Sequence, residues 1–459
     1  MSTKPSLPQG TRDFGPETVR KRRYIFETIR RIFELYGFQP LETPAMEQLD
    51  TLMGKYGDEG DRLIFKILNN GLGDAKNIEK ARAAFENVLL GRNSRDLTER
   101  ALRYDLTIPF ARYVAMNHGQ LTLPFRRYQI QPVWRADRPQ KGRYREFWQC
   151  DADVVGSYSL VNEVELAAIY QTAFKTLGIP VELKINHRKI LAALAEACGG
   201  GDKMTDITVA IDKLDKIGPE KVMAELAERG LRPDEIAGIE RYLAIDAPNL
   251  EKLSILRKMF SAPPFVAAAP QALAGITDLE EILRRNPSLT VDLTLARGLN
   301  YYTGAIFEVK ALGVRMGSIG GGGRYDDLTG SFGVPGIPGV GISFGIDRIY
   351  DVMEELNLFP PGVHTGTRVL FFHLGEAESL AAFDLCRQLR ESGVPAELYH
   401  EQAKFDRQFK YAEKKGIPYV VIIGSQELDA RTAQLKDLRT GTQTAVGFDE
   451  LLHTDFLQN

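Results

Sequence analysis

The sequence predicts an α+β chain in which a sheet domain carries an inserted helical module and is followed by a separate α/β domain. Three observations predict it. Between residues 101 and 155 the pattern has period two, as in strands. From about 188 to 285 the chain turns Ala-, Leu- and Glu-rich with helical spacing while strand patterns resume on either side. Finally, Phe359-Pro360-Pro361-Gly362 breaks the chain ahead of alternating β and α patterns. The 459 residues suit about three domains at roughly 150 residues each. The expected bounds are 1–187 and 286–358 for the two parts of the sheet domain, 188–285 for the helical module and 365–459 for the last domain.

Taking the elements in order, Gly15-Pro16 opens a helix whose apolar positions Val19, Ile25, Phe26, Ile29, Ile32, Phe33 and Tyr36 recur at three-to-four spacing. Gly37 ends it. The following F-Q-P-L-E-T-P-A-M is extended, because Pro40 and Pro44 forbid a helix and suit a strand edge. Residues 69–100 read as an inserted loop with one Ala-rich helix. The strand from Phe147 onward puts Phe147, Gln149, Asp151 and Asp153 on one face and Trp148, Cys150, Ala152 and Val154 on the other. After the Pro-Pro-Gly break come a strand at Val369 to His373, a helix around Leu380 to Ser392 and a strand at Tyr419 to Ile423.

Composition excludes several classes. With 44% hydrophobic and 26% charged residues the chain is globular rather than disordered or fibrous. A formal charge of −3 excludes a globally basic nucleic-acid binder, so a polyanion would have to meet local basic patches. Cys150, Cys198 and Cys386 lie far apart without a C-x-x-C, which excludes a disulfide framework or Cys-based zinc site and fits a reducing cytosol. The six histidines form no ligand-spaced cluster, and no metal site is expected. The first thirty residues lack the apolar stretch of a signal peptide, and the run Tyr419 to Ile423 is too short to span a bilayer, so a soluble, cytoplasmic protein without membrane contact is expected.

Four stretches carry chemistry. Pro124 to Arg145 holds seven Lys/Arg and one acidic residue. Arg135 ends a strand and Arg143 follows a loop containing Pro139 and Gly142, so both guanidiniums can converge from opposite arms of a hairpin onto a polyphosphate. Taken alone, such a stretch is more often a solvated basic loop. In L-R-Y-D-L-T-I-P-F-A-R, period-two spacing puts Asp105 and Thr107 on one face, where a carboxylate and a hydroxyl suit an ammonium group; alone, this is more often a surface strand pair. In L-A-R-G-L-N-Y-Y-T-G, Arg297 stands just before Gly298, and Gly298 and Gly304 bracket Tyr301 and Tyr302; the arginine and two phenols could hold a phosphate and a flat polar side chain, though core tyrosines with a surface arginine are equally common. In M-G-S-I-G-G-G-G-R-Y-D-D-L the glycines Gly320 to Gly323 let backbone approach a ligand, and Arg348 lies in a helix just after an apolar strand. Walker, dinucleotide, H-E-x-x-H and G-x-S-x-G patterns are all absent.

Together and in this order these residues resemble the class II aminoacyl-tRNA synthetases, specifically the histidyl-tRNA synthetases, nearly end to end. G-F-Q-P-L-E-T-P looks like the first class II motif, with Pro44 in the dimer-forming position. W-R-A-D-R-P-Q-K-G-R-Y-R-E-F looks like the second and G-V-G-I-S-F-G-I-D-R like the third, while L-R-Y-D-L-T, R-G-L-N-Y-Y-T-G and the strand Gln149 to Asp153 single out histidine. The resemblance implies an antiparallel catalytic sheet flanked by helices, a helical insertion and an α/β anticodon-binding domain. It implies ATP with Mg²⁺, L-histidine and tRNA-His as substrates, and a homodimer. By position, Arg135 would grip the α-phosphate and the substrate carboxylate, Arg143 and Arg348 the β- and γ-phosphates, and Phe147 would stack on adenine. Asp105, Thr107 and Gln149 would hold the α-amino group, Asp153, Tyr301 and Tyr302 the imidazole, and Arg297 the charge growing at the α-phosphate. Asn300 departs from the family's usual Asp.

The chemistry of the residues agrees. Activating a carboxylate as a mixed anhydride is in-line attack on a phosphorus crowded with negative charge, which positioned arginines and Mg²⁺ serve without a protein nucleophile. A non-catalytic relative, the regulatory subunit of ATP phosphoribosyltransferase, is the rival; it lacks the anticodon-binding domain and typically loses phosphate-binding arginines, and Arg135, Arg143, Arg297 and Arg348 are all here. In the last domain, Lys404, Arg407, Tyr411 and Lys414 fall along one helical face, a surface for phosphates and stacked bases or an ordinary solvated helix.

Overall fold

The computed structural model of the chain describes residues 4–296, 301–363 and 366–457. They divide into two units, Met1–Asp13 with Ile25–Leu358, and Phe14–Tyr24 with Phe359–Asn459. The division at Phe359 falls at the Pro-Pro-Gly break. Phe14–Tyr24 groups with the C-terminal residues: Tyr24 meets Phe359 edge-on at 6.5 Å and Lys21 lies 5.3 Å over the same ring.

The first unit is built on an eight-stranded sheet in the order Gln39–Pro40, Phe125–Trp134, Glu146–Val155, Gly339–Gly345, Gly320–Tyr325, Ala305–Ala311, Val181–His187, Thr290–Val291. The six central strands are antiparallel; the two short edge strands run parallel to their neighbours. Period two gives this sheet two faces. Cys150, Ala152, Val154, Val340, Ile342 and Phe344 are buried on one face. There the helix Val161–Thr176 brings Tyr170 and Phe174 to 4.7 and 5.5 Å from the Phe344 ring, and Phe33 of the helix Pro16–Leu35 comes to 5.8 Å. The alternate residues, including Gln149, Asp151, Asp153 and Ser343, belong to the other face.

The four glycines lie in the strand Gly320–Tyr325. A Cβ on Gly322 would stand 2.1 Å from the Gly341 carbonyl oxygen, and one on Gly320 would stand 2.8 Å from the Tyr170 ring. Their small size serves strand and helix packing, and Gly320 and Gly321 also reach the cleft described below. A second, three-stranded sheet joins Met46–Gln48, Arg100–Leu102 and Lys66–Ile67, and the helix Ile78–Leu89 lies in the insert between its strands.

Between the strands Val181–His187 and Thr290–Val291 the chain is helical, including Arg188–Ala197, Met204–Ile211, Pro219–Glu228, Pro233–Leu243, Asn249–Phe260 and Ala269–Arg285. Their buried Leu226, Ile239, Leu256, Phe260 and Ile276 follow the spacing read from the sequence.

The second unit carries a five-stranded sheet in the order Ala396–Leu398, Val369–Phe371, Tyr419–Ile422, Thr432–Asp437, Gln443–Gly447, with the first three strands parallel and the last two antiparallel. A parallel sheet covered on both sides reads as a continuous apolar run. Val369 and Phe371 accordingly pack with Leu385 and Leu389 of the helix Glu376–Glu391, while Leu370 and Phe372 pack with Phe409 and Ala412 of the helix Phe405–Lys415.

Candidate active site

A cleft on the large sheet is lined by Arg135, Arg143, Phe147, Gln149, Ser343 and Arg348, with Asp137 and Asp347 as its carboxylates. The hairpin that begins at Phe125–Trp134 explains two of these. Arg135 N–H donates to the Arg145 carbonyl at 2.9 Å, closing the arms just beyond the strand, and Arg143 lies on the returning arm after a bridge to Gln140. The turn needs glycine, since Gly142 has φ +73° and a Cβ there would also stand 3.0 Å from Met316 Sδ. Arg348 comes from the opposite wall, in the helix Ile346–Glu355 that follows Gly339–Gly345.

Carbonyl oxygens hold two of the guanidiniums. Arg348 Nε donates to Gly142 O at 2.7 Å and its Nη1 to Ser318 O at 2.6 Å. Arg135 Nε donates to Tyr104 O at 3.0 Å, with its guanidinium 4.2 Å over the Tyr104 ring and 5.1 Å from the Phe147 ring. Arg143 is looser, 48% exposed and 3.6 Å from Asp137. A carbonyl orients a guanidinium without cancelling its charge, and three arginines so gathered on one cleft suit a polyanion. Asp347, by contrast, accepts from Trp148 N–H at 3.1 Å and pairs with Arg12.

Beside the cleft lies a buried group of carboxylates. Asp105 Oδ1 accepts from Tyr56 Oη at 2.9 Å and from Ile108 N–H at 3.1 Å, and its Oδ2 accepts from Tyr301 Oη at 3.2 Å. The strand expected for Asp105 and Thr107 is corrected: Thr107 opens the helix Thr107–Asn117, and Asp105 receives one of that helix's first N–H groups, a capping role open to a short acidic side chain. Burial holds the Asp105 pKa above the usual carboxylate range, against the opposing pull of Ile108 N–H and Arg135. Asp153 Oδ1 accepts from Tyr325 Oη at 2.6 Å, and its Oδ2 lies 2.9 Å from Arg127 Nη2. Burial raises its pKa too, with Arg127 the main opposing influence. The phenols of Tyr301 and Tyr302 are pushed up by burial first, then by Asp105 and Asp153 respectively.

Of the residues read from the sequence, the structure brings Arg135, Arg143, Phe147, Gln149 and Arg348 onto one cleft, and groups Asp105, Tyr301 and Tyr302 in contact beside it, with the two tyrosine rings 5.0 Å apart. Asp153 stands two residues along the strand from Asp151 and is buried. Arg297 and Asn300 lie outside the described residues. Sequence reading missed Tyr56, Tyr104, Arg127 and Tyr325. Arg127 had a signal: it shares period two with Gln129 and Gln131, and the three pair in register with Asp153, Asp151 and Gln149. Tyr56 and Tyr325 had none, since they reach Asp105 and Asp153 from 49 and 172 residues away.

In the second unit the expected stacking surface is corrected. Tyr411 Oη donates to Glu397 at 2.9 Å and its ring meets Tyr399 edge-on at 5.2 Å, so this side chain turns inward; Lys404, Arg407 and Lys414 remain on the exposed face, with Arg407 2.8 Å from Glu401. Among the described residues no group of three or more His, Cys, Asp or Glu is placed to hold a metal ion, and no helix is long and apolar enough to cross a membrane.

A family model described as histidyl-tRNA synthetase matches residues 94–349, and one described as an anticodon binding domain matches residues 369–455. The chain is 51% identical to the histidine–tRNA ligase of Bacteroides fragilis, and 52% identical to that of Phocaeicola vulgatus, each over 98% of this chain and 99% of the relative. The crystal structure of histidyl-tRNA synthetase from Nostoc sp. PCC 7120 matches with a TM-score of 0.80 at 31% identity, covering 98% of this chain and 99% of that one. A Bacillus halodurans structure described as an ATP phosphoribosyltransferase regulatory subunit/histidyl-tRNA synthetase matches with a TM-score of 0.70 at 20% identity over 92% of this chain and 99% of that one, a likeness of fold alone.

Proposed function

The chain belongs to the histidyl-tRNA synthetase family, and from that premise we propose how its own residues divide the family's two-step ligation of histidine to tRNA. In the first step a histidine carboxylate oxygen attacks the α-phosphorus of ATP, the bond to the β-phosphate oxygen breaks, and pyrophosphate leaves with the electron pair. In the second, a hydroxyl of the 3′-terminal adenosine of tRNA-His attacks the acyl carbon, and AMP leaves.

Arg135 takes the α-phosphate and the substrate carboxylate, Arg143 and Arg348 take the β- and γ-phosphates, and Phe147 stacks on adenine. Asp105, Thr107 and Gln149 receive the α-ammonium, and Asp153, Tyr301 and Tyr302 surround the imidazole. Arg297 meets charge developing at the α-phosphate. Arg135 and Arg348, each fixed by hydrogen bonds to backbone carbonyls, stabilise charge in place, which is where such a site gains most of its rate. Specificity follows because a competitor without ring nitrogens would leave buried polar groups unpaired.

Mg²⁺ enters with ATP in this reading. Of the two cleft carboxylates Asp347 is already held by Arg12 and Trp148 N–H, so Asp137 and the phosphates would provide its ligands, as suits an ion that keeps several waters. Bound there it would neutralise phosphate charge.

The observation that carries the reading is the convergence of Arg135, Arg143, Arg348 and Phe147 on one cleft beside the buried Asp105. The residues matched as an anticodon binding domain support tRNA as the acceptor and speak against a purely regulatory relative. A homodimer is proposed through the segment Gly37 to Pro44, where Arg103 Nη1 fixes the carbonyls of Thr43 and Pro44 at 2.6 and 3.2 Å. A cytoplasmic reaction is part of the reading, supported by three buried cysteines that form no disulfide.

ATP–pyrophosphate exchange, run with histidine beside the other amino acids, tests the proposal. Exchange with histidine alone is expected; no histidine-dependent exchange would overturn it.

A further inference from the structure

Asp151 has no part in the scheme above, although it stands between two residues that do. Gln149, Asp151 and Asp153 lie at two-residue steps on one face of the strand Glu146–Val155, so about 7 Å separates each from the next. A ligand whose amino group rests on Gln149 and whose ring reaches Asp153 must pass over Asp151. The side chain is 2% exposed, and its Oδ1 has no hydrogen-bond partner among the described residues. A buried, unpaired carboxylate oxygen is costly, and native proteins keep few of them.

We propose that Asp151 is a further specificity-determining residue for histidine, its unpartnered oxygen meeting a ring nitrogen of the bound imidazole. The inference rests on the pocket reading just given and alters its division of labour. Asp153 has less to offer a ligand, since Tyr325 Oη occupies its Oδ1 and Arg127 Nη2 lies 2.9 Å from its Oδ2, an ion pair without hydrogen-bond alignment. Asp151 stands in register between Gln129 on one neighbouring strand and Ser343 on the other. Ser343 Oγ accepts from Gln149 Nε2 at 2.7 Å, which leaves its own proton for Asp151.

The charged and titratable groups facing Asp151 are Arg127 and Arg103, the carboxyls of Asp105 and Asp153, and the phenols of Tyr170 and Tyr302. Burial dominates and pushes its pKa up to about 7, with Arg127 opposing. The anion that accepts a ring N–H is therefore lost as pH falls through the neutral range, just where the ligand's own ring titrates.

The test uses the full-length protein and Asp151→Asn, which keeps the shape and removes the titration. Histidine and ATP KM values are measured by pyrophosphate exchange across the neutral range, and the variant is compared with the parent as a ratio so that the ligand's own titration cancels. The expected histidine KM ratio is about 10-fold or more at about pH 8 and falls toward one below about pH 6, with the ATP KM within about 3-fold throughout. A ratio near one at about pH 8, or one that does not change with pH, overturns the inference; the second result would mark a packing role. If Asp151→Asn does not fold, Asp151→Ser replaces it under the same criteria. Gln149→Ala separates the two levels. Should it leave the histidine KM unchanged, the pocket reading fails and this inference with it; should it raise the KM while Asp151→Asn does not, this inference alone fails.

Discussion

The two ends of the site hold their charges in opposite ways. At the open end Arg135 and Arg348 donate to the backbone carbonyls of Tyr104, Gly142 and Ser318. These carbonyl contacts orient both side chains along the cleft wall, where a polyanion can meet them. At the buried end Asp105 accepts three hydrogen bonds from Tyr56, Ile108 and Tyr301, and Asp153 is occupied by Tyr325 and Arg127. Desolvation raises both carboxyls there. The open end can accept any polyphosphate of suitable shape, since charge is tolerant of detail; the buried end discriminates, because an imperfect ligand leaves desolvated groups unpaired.

Arg135→Ala breaks the link between the two ends and should have the largest effect. A drop of about 10³-fold in kcat/KM for histidyl-adenylate formation is expected, as for loss of a donor aimed at developing charge. Arg135→Lys should not restore it, because a point-charge ammonium cannot repeat the planar contact with Tyr104 while also reaching two ligand oxygens. Pre-steady-state measurement of adenylate formation decides this.

This difference between the ends also explains what could be read before the fold was known. The open end was legible because its residues sit in two short stretches, Arg135 to Gln149 and Gly339 to Arg348, with turn and strand signals of their own. The buried end was legible in its carboxylates and in Tyr301, and not in Tyr56 or Tyr325. Tyr56 lies in a stretch without periodic signal, and Tyr325 ends a glycine-rich strand whose run of glycines shows no alternation. Asp105 was misplaced on a strand because L-R-Y-D-L-T alternates over a few residues, whereas the helix that follows and its need for a capping acceptor decide the local structure. The packing constraint on Gly320 and Gly322 is out of reach for a related reason: it comes from Tyr170 and Gly341, neither of them near in sequence.

Arg143→Ala should sharpen the comparison with a smaller effect, since its side chain is 48% exposed and only loosely paired. An ATP KM raised about 10-fold at low salt is expected, shrinking as salt rises because exposed charges are screened. Asp105→Asn should instead raise the histidine KM by an amount that salt does not change. ATP titrations at two ionic strengths distinguish these cases.

The smallest effect concerns stability. The folded-state pKa of Asp151, pushed up to about 7, lies above the usual 3.8, so the folded chain binds this proton more tightly than the unfolded chain does. Its contribution is most favourable below about pH 4 and is lost as pH rises through about 7. Asp151→Asn removes that loss, and the free protein should melt a few degrees higher than the parent near about pH 8, with a smaller gain near about pH 5 and none below about pH 4. Calorimetry without ligands checks it. A residue whose replacement stabilises the empty protein while impairing histidine activation is held for binding rather than folding.

The division of labour itself is tested most directly by one crossed measurement. Arg348→Ala and Asp105→Asn are compared in pyrophosphate exchange, with KM determined for both ATP and histidine in each. Arg348→Ala is expected to raise the ATP KM about 10-fold or more with the histidine KM within about 3-fold, and Asp105→Asn to do the reverse. If each variant raised both KM values alike, the cleft would be one undivided site, and the account of two ends built on different physical terms would be wrong.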